Sequence, residues 1–294
     1  MTKKLGIVCT SPGYGGLEMF TLQLAKGLSQ KGWQVFFLLN EKSRLWQLAK
    51  EEFNTETIQA YHKEKNHSSV IKKWNDQYAL HLIFTPYNKD IKPLAAYKRF
   101  HQRNLKLVYQ QHMKVGVKKR DLIHRLRYNM LDLWITPLEY LKQEVIDKTT
   151  VPEEKIKIIP VGLDLNKLQP ANLTKLEARS KLQLPLEAFI MGILGRIDPK
   201  KGHDFLIRAI ASLKEKKDIH LCIMGAITAH EGDEWMRHLH TLVKEYAVGD
   251  RVHFNPYQQD ISVFYKSIDV FAMPSHGETY GLVTLEAMYY EKPV

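Results

Sequence analysis

Cysteine is scarce. Two occur in 294 residues, Cys9 and Cys222, each inside an apolar run and far from the other in sequence. That excludes a disulfide framework or a cysteine metal cluster and suits reduced core thiols in a cytoplasmic protein. No apolar run approaches the ~20 residues of a membrane-spanning helix. The opening "MTKKLGIVCTSPGYGG" has only a brief apolar stretch before Pro12 and Gly13. It is therefore read as a first strand entering a loop, not as a secretory core. A dinucleotide fingerprint is missing as well. The glycines after that strand fall at 13, 15 and 16, and the next strand, "VFFLLN", ends in Asn40 where an acid would close the motif. Acidic residues are nearly absent from one stretch: residues 89–127 hold 12 Lys or Arg against Asp90 and Asp121 alone.

What is present is unevenly placed. The net charge is +11, and all of it lies in the first part of the chain. Residues 1–165 carry 27 basic and 16 acidic side chains, and residues 166–294 carry 16 of each. A concentrated basic patch attracts an anionic lipid surface or a polyanion, at about 1 kcal/mol per cation near a membrane. A solvated face without a partner is the alternative, and the concentration of charge favours a real anionic partner. The composition, 44% hydrophobic and 10% aromatic, is ample for packed cores.

Short apolar runs alternate with helical patterns. "KLGIVCT", "WQVFFLLN", "ALHLIFTP", "LKLVYQQH", "LWITP" and "IKIIPVG" read as strands. "LEMFTLQLAKGLSQKG" reads as a helix with Leu17, Phe20, Leu24 and Leu28 on one face. After a polar stretch near 163–186, read as the joint between two domains, the pattern restarts. "FIMGILGRID", "IHLCIMG", "RVHFN" and "DVFAMP" are strands, with helices near 202–216, near 234–246 and at the end. Continuous Val, Ile, Leu and aromatic runs suit parallel strands buried on both faces. The expected class is α/β, with two Rossmann-like doubly wound domains, 1–165 and 166–294. Ligands of such sheets bind beyond the carboxyl ends of the strands, so the strand-to-helix loops carry the chemistry.

Four of these places stand out. In "TSPGYGGLEMF", Gly15 and Gly16 allow a backbone to approach an anion at a helix N-terminus, although a plain tight turn would look the same. In "GRIDPKKGHDFL", Arg196 and Lys201 suit a diphosphate clamp, with ordinary surface cations as the alternative. His112 ends the strand "LVYQQH", where it could donate to a sugar or polarise a reacting group; it is one of 13 histidines, so position is its only claim. In "HGETYGLVTLEAM", Glu278 and Glu286 are carboxylates suited to vicinal hydroxyls. The N–H groups around Tyr280, Gly281 and Leu282 are placed for an anion. Glu286 sits among Leu282, Leu285 and Met288, where a free carboxylate is unexpected.

Taken in order, "PGYGGLE", "IIPVGLD", "GRIDPKKG" and "PSHGETYGLVTLEAM...KPV" resemble retaining glycosyltransferases of family 4, the group 1 glycosyltransferases of GT-B fold. The resemblance implies two Rossmann-like domains facing a cleft, the second incomplete because such chains continue past "KPV". It implies transfer of a sugar from a nucleoside-diphosphate donor to a hydroxyl acceptor with retention, in lipopolysaccharide, glycolipid or polysaccharide synthesis. By the resemblance, Glu278 and His112 are the catalytic residues at the donor sugar and Glu286 holds the ribose. Arg196 and Lys201 hold the diphosphate, and Gly15 and Gly16 lie near the donor phosphate. "GETYG" departs from the family in having Thr279 and Tyr280 where a Phe is usual. The sequence has no Asp-X-Asp pair for a metal, so no cofactor and no metal are expected. The first domain would take a lipid-linked or saccharide acceptor. Lys114, Lys118, Lys119, Arg120, Arg125 and Arg127 would meet the acceptor or an anionic inner-membrane surface, the latter making the protein cytoplasmic and peripheral on that face. No nucleic-acid module accompanies the patch. Competing expectations are a non-catalytic nucleotide- or membrane-binding scaffold and another GT-B enzyme, such as a sugar-nucleotide epimerase or a phosphorylase.

Overall fold

The structure is a computed structural model that describes residues 3–13, 15–61, 67–165, 168, 172–213, 215–227, 231–258 and 260–294. The chain divides into two compact units, Met1–Val161 and Gly162–Val294.

The first unit is a parallel sheet of seven strands. They are β1 (Lys4–Cys9), β2 (Gln34–Asn40), β3 (Ile58–Tyr61), β4 (Leu82–Thr85), β5 (Lys106–Gln110), β6 (Leu133–Thr136) and β7 (Ile156–Ile158), in the order β3-β2-β1-β4-β5-β6-β7. Between them run α1 (Gly16–Gln30), α2 (Arg44–Glu52), α3 (His67–Tyr78), α4 (Ile91–Phe100), α5 (Leu122–Asn129) and α6 (Glu139–Lys148). Successive residues of β2 feed opposite cores. Val35, Phe37 and Leu39 join one cluster with Leu22, Ala25 and Leu45 of α1 and α2. Phe36 and Leu38 join the other with Ile71, Trp74, Leu94 and Tyr128 of α3, α4 and α5. A strand covered on both faces needs no polar alternation, which is why these strands read as unbroken apolar runs.

The second unit repeats the plan with four strands, β8 (Phe189–Leu194), β9 (Ile219–Gly225), β10 (Val252–Pro256) and β11 (Val270–Phe271), in the order β10-β9-β8-β11 and all parallel. Its helices are α7 (Lys175–Lys181), α8 (His203–Ser212), α9 (Glu231–Glu245), α10 (Ser262–Ser267) and α11 (Leu282–Tyr289). Beyond α11 the chain returns alongside β11, where Phe271 N donates to the Pro293 carbonyl (2.8 Å).

The polar stretch 163–186 is not wholly a joint. It contains α7, started by a capping box in which Thr174 and Glu177 exchange side-chain-to-backbone bonds. Buried Arg179 of α7 donates to the Ser267 and Leu186 carbonyls and to Asp269, tying the helix to the second unit. Residues 166, 167 and 169–171 of that stretch lie outside the described residues.

In both sheets strand order reverses beside the first strand, between β1 and β4 and between β8 and β11. Loops diverge there at the strands' carboxyl ends and leave a crevice, the usual ligand position in an open parallel sheet.

Candidate functional site

In the second unit the loops leaving β8 and β11 meet. Asp198 opens a short turn, Pro199–Lys201, accepting from Lys200 N (2.9 Å) with Pro199 at its first position. Gly202 then takes a left-handed conformation (φ 75°) and starts α8. A side chain at Gly202 would bring its Cβ to 2.5 Å from the Pro274 carbonyl oxygen, so only glycine lets the loops pass this closely. His276 N donates to the Lys200 carbonyl (2.8 Å). The consequence is that Lys201 Nζ reaches Glu278 Oε2 at 2.7 Å, with both side chains about three-quarters buried. Arg196 is mostly exposed and approaches Asp198 at 3.8 Å. Thus Lys201 and Glu278 are brought together, while Arg196 leans on Asp198 of the same loop.

α11 begins at this meeting point. Gly281 (φ 71°) precedes it and no side chain caps its first turn. The opening N–H groups of α11, beside Tyr280 and Gly281, therefore form a partial positive pole next to the Lys201–Glu278 pair. Glu286 lies one turn into α11. Its Oε2 accepts from the hydroxyl of Tyr265, a fully buried residue of α10, at 3.0 Å, and the same hydroxyl lies 3.0 Å from the Val283 carbonyl. Burial raises the pKa of Glu286 and the Tyr265 hydrogen bond opposes the rise. His203, at the base of the β8 loop, is fully buried, and burial lowers its pKa while Asp198 opposes the shift.

In the first unit the equivalent place holds Asp90, only 2% exposed. Its carboxylate accepts from Thr10 N (2.9 Å) and Thr10 Oγ1 (2.5 Å), fixing the exit of β1 against the exit of β4. Burial pushes its pKa up to about 6. Gly15 precedes α1 in an extended conformation and no side chain caps that helix. A Cβ on Gly16 would touch nothing within 4 Å, and one on Gly15 only Glu18 at 3.9 Å. The protein itself does not demand the missing side chains, which leaves open space over the start of α1. His112 packs its ring against Phe20 of α1 (4.9 Å between centroids), and its Nε2 is buried without a partner. Burial lowers its pKa to about 4, so it is neutral at physiological pH.

The six basic residues divide. Lys114, Lys118 and Arg125 are exposed, Lys114 lying over the Tyr140 ring (5.7 Å). Arg120 donates to the Ile146 carbonyl (3.0 Å), and Arg127 lies over the Tyr128 ring and donates to its hydroxyl (2.8 Å). Lys119 is partly buried, and burial, then Arg127, lowers its pKa.

Tyr265 and Asp90 escape a reading of the sequence. Tyr265 looks like a core aromatic in "VFYKS", and Asp90 like one acid in a basic stretch. Their partners lie 21 and 80 residues away. Among the described residues no three His, Cys, Asp or Glu side chains cluster as a metal site, and no helix is long and apolar enough to cross a membrane. Both cysteines are buried, free thiols whose pKa burial raises.

Comparison with known proteins gives this geometry a family. Residues 14–167 match the model of Glycosyltransferase Family 4, and residues 174–294 that of Glycosyl transferases group 1. D-inositol 3-phosphate glycosyltransferase of Salinispora tropica is 32% identical over 162 residues, 51% of this chain and 33% of that protein. The protein of the same name from Stackebrandtia nassauensis is 31% identical over 170 residues, 55% of this chain and 38% of that protein. The chain thus spans about a third of the length of the curated relatives it matches. Among solved structures, Anabaena HepE in complex with UDP and glucose superposes with a TM-score of 0.81 at 21% identity, covering 99% of this chain and 80% of that one. A glycosyltransferase from Rickettsia africae superposes with a TM-score of 0.84 at 21% identity, covering 99% and 78%. At that identity these structures show the fold, which is GT-B.

Proposed function

The chain belongs to glycosyltransferase family 4, and from that premise we propose that it transfers a hexosyl-type sugar from a nucleoside-diphosphate donor to a hydroxyl acceptor with retention. The observation that carries the reading is the meeting of the β8 and β11 loops. It places one cation, one carboxylate and an uncapped helix N-terminus together at a sheet switch point. The solved HepE complexes hold UDP and UDP-glucose, which supports a nucleotide-sugar donor here.

In this reading Lys201 and Arg196, with the N–H groups at Tyr280, Gly281 and Leu282, hold the diphosphate. They stabilise the charge that grows on it as the glycosidic bond breaks. Lys201 exchanges its bond to Glu278 for the donor phosphate, and Glu278 turns to the sugar hydroxyls. Glu286, oriented by Tyr265, accepts from the ribose hydroxyls. Gly15, Gly16 and neutral His112 take the roles that family membership suggests, at the donor phosphate and sugar. The acceptor hydroxyl, on a lipid-linked or saccharide molecule of lipopolysaccharide, glycolipid or polysaccharide synthesis, attacks the face from which the diphosphate leaves. With two cations and a helix pole at the phosphates, the proposed reaction needs no metal.

The test is thermal stabilisation of the chain by UDP, GDP and ADP, with and without magnesium, beside Glu286→Ala. The expected outcome is a shift with one nucleotide, lost in the variant and indifferent to magnesium. A chain that melts cooperatively and shifts with none of them refutes the reading.

A further inference from the structure

Beyond sugar transfer, we infer that residues 113–126 form a membrane-docking wedge, in which aliphatic side chains enter an anionic bilayer and neighbouring cations hold its headgroups. Within this stretch Met113 (72% exposed), Val117 (74%), Leu122 (70%), Ile123 (67%) and Leu126 all project into solvent. Single exposed aliphatic residues are ordinary, but five in 14 successive positions are a patch that asks for a partner. Leu122, Ile123 and Leu126 share one side of α5, while Tyr128 on its other side is fully buried and anchors the helix. The loop before α5 is held from behind, with Lys119 N donating to the Lys148 carbonyl (2.7 Å) and Arg120 to the Ile146 carbonyl (3.0 Å). The wedge is thus a fixed part of the first unit.

Charge identifies the partner. Lys114, Lys118 and Arg125 are exposed among the aliphatic residues. The one acid of the stretch, Asp121, is turned onto the start of α5, where it accepts from Ile123 N and His124 N (both 3.1 Å) and from the His124 ring. α4, which packs on α5, adds an exposed Phe100 beneath Arg99 at its end. A nucleic acid would satisfy the cations, but residues 113–127 contain no Phe, Tyr or Trp on which a base could stack, and their one imidazole, His124, is held against Asp121 and the Tyr128 ring. Aliphatic side chains ringed by cations match the boundary between acyl chains and anionic headgroups.

Docking requires no catalysis, so it is tested separately from sugar transfer. The full chain is sedimented with phosphatidylcholine vesicles containing or lacking phosphatidylglycerol. Four proteins are compared: wild type, Leu122→Ser with Ile123→Ser, Lys118→Gln with Arg125→Gln, and Gln47→Ser in α2 as a surface control. The serine pair leaves net charge unchanged and replaces side chains already in water, so folding is preserved. Wild type and control are expected on phosphatidylglycerol vesicles alone. The serine pair should bind at least about tenfold more weakly, and the glutamine pair about 25-fold, near fivefold per cation. Absence of vesicle binding by wild type overturns the wedge. So does full binding by the serine pair, which would mean charge alone is at work. A third refutation is binding to a single-stranded RNA that matches the vesicle binding and is unaffected by the serine pair.

Discussion

Tyr265→Phe isolates the support of Glu286. The ring stays, and with it the stack on Tyr290 (5.0 Å between centroids) and the contact with Phe271. Only the hydroxyl is lost, and with it a donor to a largely buried carboxylate. A hydrogen bond to a charged group contributes about 1.5–3 kcal/mol, and one between neutral groups about 0.5–1.5 kcal/mol. The cost of the variant should therefore depend on the charge of Glu286. Its folded pKa is raised above the ordinary 4.5, so the carboxylate costs stability as pH climbs from that value. Removing the donor raises the folded pKa further and steepens the loss. The expected destabilisation is about 2 kcal/mol at pH 8 and smaller at pH 5. Amide hydrogen exchange of β8 and β9, corrected for intrinsic rates, reads this in the second unit, with β1 and β2 as an internal control. At pH 8 the β8 and β9 amides should exchange roughly thirtyfold faster than in the parent. An equal effect at both pH values, or none, would show that the hydroxyl does not stabilise the charged form of Glu286.

Three further outcomes are expected. Glu278→Gln frees Lys201 from its partner, so UDP or whichever nucleotide binds should do so up to about fivefold more tightly by calorimetry, near 1 kcal/mol for a partly exposed pair. Labelled-sugar transfer should fall at least about 100-fold in the same variant; unchanged transfer would remove Glu278 from the sugar. Gly202→Ala sets a Cβ against the Pro274 carbonyl at a left-handed position and should cost more than about 2 kcal/mol and weaken nucleotide binding; a neutral result in urea unfolding would show that the loops can part freely. Asp90, with its folded pKa near 6 against 3.8 in the unfolded chain, holds its proton longer when folded. The first unit should thus lose about 2 kcal/mol as pH rises from 4 to 7, and Asp90→Asn should flatten that slope in exchange of the β1 amides.

The strands were legible where burial on both faces makes a continuous apolar run, as in "QVFFLLN" and "IHLCIMG". β3 was not, because "IQAY" is four residues with half-buried Gln59 and Ala60 between its ends. α7 lay in a stretch read as a joint, although its Thr174-x-x-Glu177 box is a local signal. Of the candidate site, the residue types at the strand ends were legible, because cations, carboxylates and glycines in strand-to-helix loops are unusual in themselves. What they touch was not. Lys201 meets Glu278 across 77 residues, and the contact depends on Gly202 sliding under Pro274. The exposed aliphatic row at Met113–Leu126 was hidden for the opposite reason. Apolar letters imply burial, and only the fold shows these side chains exposed among the described residues.

The two units share a device that composition could not announce. Each sets a buried or largely buried carboxylate at or beside its switch point and bonds it to a hydroxyl: Asp90 to Thr10, and Glu286 to Tyr265. In both, burial lifts the pKa and the hydrogen bonds only partly restore it. A core built for stability alone would place apolar groups at these positions, since a desolvated carboxylate opposes folding at neutral pH. The two arrangements nevertheless differ in what they leave over. Asp90 has both carboxylate oxygens on Thr10 and fixes the path of a loop. Glu286 is bonded through Oε2, so Oε1 can face a ligand hydroxyl. Asp90 is therefore a support for the glycine loop, and its loss should loosen that loop without removing a contact to donor. In the proposed reading Glu286 is itself a contact, so its loss should abolish nucleotide binding while the helix that carries it stays folded.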